Sequence, residues 1–379
     1  MAYQNVGTPR FFIDNYMYLR ALGLDPEAYI NITEENNQLG NDANETPLTN
    51  ENAFTLSPQL SKQFTRVDGN ANTMRFFIPC GEMVRGMNFS GNMKWYGALL
   101  NHNLNDCGAK IQTSMFMPSV NQTDNNIGDP NYIPILNSGT TELSLNGSSI
   151  WYSDNTPEED DNARFTGFNL LSPTDDEAEG NFNNFQIGAI SMGVMYTMPN
   201  SADLDITMQV EFDGYDETET LGGSTLINIR QTGSPIWSND GKYNSPFSVG
   251  DFSDNQYLGG AKRNGRRSWS LKFSYIADTD LFSSNYTANN YIETTSDYND
   301  ADKNTDGDSF EYNMFTDDSF VAQVWNKTLG GALPFIFQPD SNNDNPDQFC
   351  IAKFDMDTLS VKQVAFKTYN ISVKIREVW

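Results

Sequence analysis

Histidine is almost missing from this chain: His102 is the only one in 379 residues. A single Ser-His-Asp or Cys-His arrangement is the most that could be built from it. His102 follows an apolar run that stops at Asn101, and it reads as a hydrogen-bonding residue at a strand end. Cysteine is scarce as well. Cys80, Cys107 and Cys350 are an odd number and lack metal-finger spacing. Cys80 and Cys107 fit adjacent strands of one sheet, and free buried thiols suit a chain made in a reducing cytoplasm. Basic residues are outnumbered, 23 Lys and Arg against 50 Asp and Glu, leaving a net charge of −27. A nucleic-acid grip needs a basic face to displace counterions, so no specific nucleic-acid partner is expected. No apolar run approaches bilayer length, and the opening MAYQNVGTPRFFID lacks the pattern of a secretory signal, so neither a membrane nor export is expected. Phosphate loops, dinucleotide glycine fingerprints and zinc motifs are missing too, so the chain is expected to be no enzyme and to need no organic cofactor.

What the chain does have points to β-structure. Its hydrophobic content is only 38%, but aromatics reach 13%, and large rings can fill a sandwich core with few aliphatics. Abundant Asn and 28 Gly favour turns and end helices. The expected class is all-β: a jelly-roll β-sandwich followed by a second antiparallel sheet or barrel carrying one helix. Three segments are expected. Residues 1–66 form an N-terminal arm with a short helix over Asp14–Gly23 and a polar stretch, Asn31 to Asn52, that cannot bury enough surface to fold alone. Residues 67–200 hold short strands at Arg75–Ile78, Lys94–Leu100, Ile111–Phe116, Ser149–Tyr152, Arg164–Leu170 and Gln186–Met198. Residues 201–379 open with Leu204, Ile206, Met208, Val210 and Phe212 alternating with polar residues, which predicts a strand with one buried and one wet face. Trp269, Leu271, Phe273 and Tyr275 repeat the alternation. Phe335–Phe337, Ile351–Phe354 and Tyr369–Ile375 supply further strands. Asp318–Lys327 predicts a helix capped by Asp317 or Asp318, with Phe320, Val321, Val324 and Trp325 as its apolar stripe.

Two local clusters carry chemistry. Asp302, Asn304, Asp306 and Asp308 place oxygens at alternate positions around Gly307, the first half of an EF-hand-type calcium loop. The bidentate acid is absent, because the twelfth position is Asn313 and Glu311 falls two residues early. Calcium is therefore the one metal the sequence offers a place for, against a solvated acidic turn. The basic island Lys262, Arg263, Arg266 and Arg267 interrupts the acidity just before a strand. It reads as an edge guard or as a docking site for an acidic partner. Acidic runs at 154–161 and 175–179 read as solvated loops.

The segments Trp95–Gln112 (WYGALLNHNLNDCGAKIQ) and Phe182–Pro199 (FNNFQIGAISMGVMYTMP) resemble, in order, parts of discoidin-like, galactose-binding jelly rolls, which often occur in phage structural proteins. That resemblance implies a β-sandwich holding sugars, partner proteins or nothing, and no catalysis. A long acidic insertion and the lack of a sugar-stacking aromatic flanked by Arg and Asp depart from the pattern and put sugar binding in doubt. Residues 265–379, with GRRSWSLKFSYIADTDLF, FVAQVWNKTLGGALPFIFQPD and the stretch ending IREVW, resemble a recurring C-terminal module of tailed-phage virion proteins. The implied role is assembly in a tail, neck or baseplate, as a symmetric homo-oligomer contacting other virion proteins. The alternative it leaves open is a receptor- or carbohydrate-binding appendage, or a capsid decoration protein, meeting a surface glycan. If the protein surrounds a DNA passage, its acidic face is expected toward the lumen, so that DNA slides without sticking.

Overall fold

The strand β1 (Arg10–Asp14, RFFID) explains how the protein is put together, because both of its faces are buried. The computed structural model describes residues 6–23, 31–34, 54–57, 62–64, 73–79, 91–102, 104, 110–117, 133–134, 148–153, 165–171, 185–211, 215–229, 266–282, 317–343 and 348–378. Successive side chains of a strand point to opposite faces. Phe11 accordingly enters one core with Tyr196, Trp269 and Phe320, and Phe12 enters a second core with Tyr96, Ile336 and Ile351. Ring centroids of Phe335, Phe337 and Phe320 lie 5.2–5.7 Å from that of Phe11, and Tyr96 meets Phe12 edge-on at 5.2 Å.

The strands that follow are β2 (Asn31–Glu34), β3 (Lys62–Phe64), β4 (Thr73–Pro79), β5 (Met93–Leu100), β6 (Lys110–Met117), β7 (Ile133–Pro134), β8 (Ser148–Ser153), β9 (Phe165–Leu171), β10 (Phe185–Ile187) and β11 (Ala189–Thr197). After them come β12 (Thr207–Glu211), β13 (Tyr215–Glu219), β14 (Thr225–Ile229), β15 (Arg266–Ala277), β16 (Phe335–Gln338), β17 (Cys350–Phe354), β18 (Val361–Ala365) and β19 (Thr368–Glu377). Eleven of them make one sheet in the order β12-β15-β19-β17-β16-β1-β11-β5-β8-β7, with β18 also on β19. A four-stranded sheet, β2-β4-β9-β6, and the pairs β3–β10 and β13–β14 complete the described strands. The protein is mostly β, its large sheet is antiparallel, and helices are few.

Burial grades along the large sheet, and the sequence pattern grades with it. In the middle, β5, β11 and β16 are mostly apolar and buried on both faces. Toward one side, β15 and β19 alternate buried and wet residues. At the edge, β12 forms as expected but both of its faces are exposed. The expectation of one buried face is corrected here: β12 is the terminal strand of the described sheet, and among the described residues the layer that covers Trp269 and Leu271 does not extend over it.

The β1 part of the N-terminal segment packs within the large sheet. β1 pairs with β11 on one side and with β16 on the other, so residues 10–14 join strands from both later segments. The helix expected over Asp14–Gly23 is present as α1 (Asn15–Ala21), capped by Asp14, whose Oδ1 accepts from the amides of Tyr16 and Met17. Gly193 lies beside this junction, where an added Cβ would come within 2.8 Å of the Asn15 amide. Two more helical pieces are α2 (Asp278–Leu281) and Val321–Asn326. The latter falls where a helix is expected, with Phe320, Val321 and Val324 buried, but it is π-wound. The Thr328 hydroxyl donates back to the carbonyls of Val324 and Trp325, where it competes with the helical amide ladder. Gly330 and Gly331, at φ 66° and 96°, then turn the chain into β16.

Candidate functional site

Three buried titratable groups are the places to look for chemistry first. His102 closes β5, just after Asn101, whose φ of 55° is a conformation Asn tolerates. Its Nε2 lies 3.0 Å from Ser149 Oγ. That is a nucleophile-to-base distance, yet burial pushes the imidazole down to about 3, and Nδ1 meets no partner among the described residues. An imidazole this weakly basic stays uncharged at neutral pH, and among the described residues no carboxylate orients it. The pair bridges β5 and β8, two neighbouring strands.

Asp14 does more than cap α1. Ser191 donates to its Oδ2 at 2.7 Å, and with that proton committed, the Tyr96 hydroxyl donates to Ser191 at 2.7 Å. Burial raises the Asp14 carboxyl to about 6 against the opposing pull of these hydrogen bonds. Burial also lowers Lys327 to about 7, and its Nζ donates to Gln323 Oε1 at 2.6 Å. Gln323 in turn donates to the Asp317 carbonyl. Each group is tied to the end of a helix or strand, and the chemistry this supplies is positional.

The sites expected from sequence fare differently. Asp302, Asn304, Asp306 and Asp308, the calcium candidates, lie outside the described residues, as do Lys262, Arg263, Cys80 and Cys107. Arg266 is half-buried at the start of β15. Arg267, expected as part of a docking patch, is corrected: it is buried and faces inward. Its amide and Nε donate to Glu377 Oε2 at 2.9 and 3.3 Å, and its Nη2 donates to the Phe349 carbonyl at 3.3 Å. Cys350 is buried, and its thiol donates to the Phe337 carbonyl at 3.8 Å. Among the described residues no three His, Cys, Asp or Glu side chains are grouped to hold a metal ion, and no helix is long and apolar enough to cross a membrane.

The surface is where this structure is unusual. Leu204 is 85% exposed, Met208 50% and Val210 48%. Met208 and Val210 stand opposite Trp269 and Arg267, so they continue the core-facing side of the sheet past the point where the core stops. Scattered apolar residues on a surface need no explanation, whereas a set continuous with a core face does. Beyond it the hairpin β13–β14 has Leu221, Leu226 and Ile227 exposed. A third exposed set, Tyr275, Val364 and Phe366, surrounds the β18–β19 turn. Sequence reasoning took β12 for an ordinary half-buried strand, because alternation reports which residues could be covered and not whether anything covers them. No family model matches this sequence, and no curated protein or solved structure matches it either.

Proposed function

We propose that this chain is a non-enzymatic structural component of a bacteriophage virion, associated with its tail, neck or baseplate, and that it assembles as a symmetric oligomer. The observation that carries the assembly reading is the edge strand β12, with Met208 and Val210 exposed in continuation of the core face. An open sheet edge is a template for pairing with another chain, and monomeric proteins blunt such edges. The virion assignment rests on the two sequence resemblances given above. The contact surface is the edge, since β1 of the N-terminal segment is engaged between β11 and β16.

Sedimentation of the purified full chain tests assembly. A concentration-dependent oligomer is expected, and Met208→Lys with Val210→Lys shifts it toward monomer without changing the melting temperature. A chain that stays monomeric at every concentration overturns the reading. Antibody against the chain, applied to the particles that encode it, is expected to label tail, neck or baseplate in electron micrographs. Absence of the chain from purified particles overturns the virion assignment.

A further inference from the structure

Copies of a chain with net charge −27 repel one another, so any contact between them needs a surface of locally opposite sign. One such surface exists. Between residues 361 and 379 the charged side chains are Lys362, Lys367, Lys374, Arg376 and Glu377; Arg376 is paired with Glu211 and Glu377 is buried against Arg267, which leaves the three lysines. Lys362 pairs in register with Asn370, so Lys362, Asn370, Ser372 and Lys374 share the wet face of β18 and β19. Lys362 and Lys374 are exposed and make no ion pair among the described residues.

An aromatic stands beside these lysines. The pairing of β15 with β19 slips between Phe273 and Ile276, and Tyr275 sits in that bulge at φ 60°, a strained backbone for an aromatic residue. Its amide is held by the Asn370 side chain at 3.0 Å, and its ring is 73% exposed. Bulges re-aim side chains, and strain of this kind persists where a function uses it. Phe366, 86% exposed, caps the adjoining turn.

The opposite character is found in β13–β14. Register places Glu217 across from Ile227 and Glu219 across from Thr225, all on one face. The segment 215–229 contains no basic residue, and residues 216–219 and 221–228 are all exposed. Its turn is nonetheless well made, with Thr220 and Ser224 bonded through backbone and side chain and Gly223 at φ 78°. A two-stranded hairpin with no layer against it is marginal in water. This hairpin has its shape defined, and none of the described residues covers it.

We propose that the acidic, apolar hairpin β13–β14 of one copy docks on the basic, aromatic face of β18–β19 and Tyr275 of the next. Glu217 and Glu219 meet Lys362 and Lys374, and Ile227 covers Tyr275. The contact joins two different patches, so it propagates head to tail and closes into a ring when its rotation permits. This inference rests on the assembly reading and adds a second contact beside the β12 edge.

The test uses the full chain and four forms of it: unchanged, Glu217→Lys with Glu219→Lys, Lys362→Glu with Lys374→Glu, and all four substitutions together. Each charge reversal is expected to weaken self-association by about tenfold or more, and the combined form to recover most of it. All sites are exposed, and circular dichroism checks that folding is unchanged. A carbodiimide coupling of the unsubstituted chain, mixed from isotopically light and heavy copies, is expected to join Glu217 or Glu219 of one copy to Lys362 or Lys374 of another. Oligomers indifferent to either reversal, a combined form that fails to recover, or couplings formed only elsewhere each overturn this docking and leave the assembly reading standing. An unsubstituted chain that never self-associates overturns both.

Discussion

Arg267 and Glu377 close on each other inside the protein, with Nε 3.3 Å from Oε2 and neither group meaningfully open to solvent. The arginine opens β15, the glutamate ends β19, and the guanidinium also lies over the Trp269 ring at 5.1 Å. Removing one partner takes the opposite charge away from a buried ion, which costs about 3–5 kcal/mol. Glu377→Ala is expected to lower urea stability by that amount. Arg267→Met combined with Glu377→Leu is expected to cost less than Glu377→Ala alone, because the desolvated charges vanish together.

Asp14 serves α1, Ser191 and Tyr96 at once. Asp14→Ala removes a helix cap worth roughly 1–2 kcal/mol and strands the buried Ser191 hydroxyl, at about 1–3 kcal/mol more. Asp14→Asn keeps an acceptor for the α1 amides and is expected to lose less. Chemical denaturation of the three forms checks the order.

The same residue and His102 give opposite responses to pH. His102 falls from 6.5 to about 3 on folding, so its contribution is complete above pH 6.5 and is lost as pH falls toward 3. That shift corresponds to roughly 5 kcal/mol. Asp14 rises from 3.8 to about 6, so its contribution is complete below pH 3.8 and is lost as pH rises through 6, roughly 3 kcal/mol. His102→Gln is therefore expected to make stability less sensitive to acid between pH 6.5 and 4. Asp14→Asn is expected to steepen the loss over the same range. Melting temperatures measured across that range read both.

Gly97 faces Trp151 across β5 and β8, and a Cβ there would lie 2.6 Å from the indole Cε2. Trp151 is buried and has little room to retreat. Gly97→Ala is expected to destabilise by about 1–3 kcal/mol through overpacking, with a shift in tryptophan fluorescence that Gly222→Ala, in open space, does not produce.

Much of this fold was written in hydrophobic periodicity. The apolar run Trp95–Leu100 and the nearly apolar stretch Ile187–Met198 mark strands covered on both sides, and the alternations from Trp269 and from Ile371 mark strands wet on one side. The alternation held more than was taken from it. Carried back two residues from Trp269 it puts Arg267 on the inner face, and carried on two from Ile375 it puts Glu377 there. The buried pair was thus legible in phase, while the basic run KRNGRR read as a solvated surface. Phe11–Phe12–Ile13 is likewise a short apolar run, overlooked because it abuts a helix signal. What local pattern does not encode is pairing between distant segments: nothing near Arg10 names Gln338 as its neighbour. The same gap hid the site, because exposure of β12 depends on what the rest of the chain fails to bring over it.

The position of β1 also sets a timetable for synthesis. Arg10 is bonded to Gln338, 328 residues later in the chain, and at about 5–20 residues per second the ribosome needs roughly 15–65 s to travel that far. Through that interval Phe11 and Phe12 have left the exit tunnel while one flanking strand does not yet exist. The nascent chain therefore carries two adjacent phenylalanines in search of a neighbour, and premature pairing with another nascent chain competes with waiting. Slower elongation lengthens the exposure, so yield of folded protein should depend on translation speed and on holding chaperones more than the stability of the finished sheet would suggest.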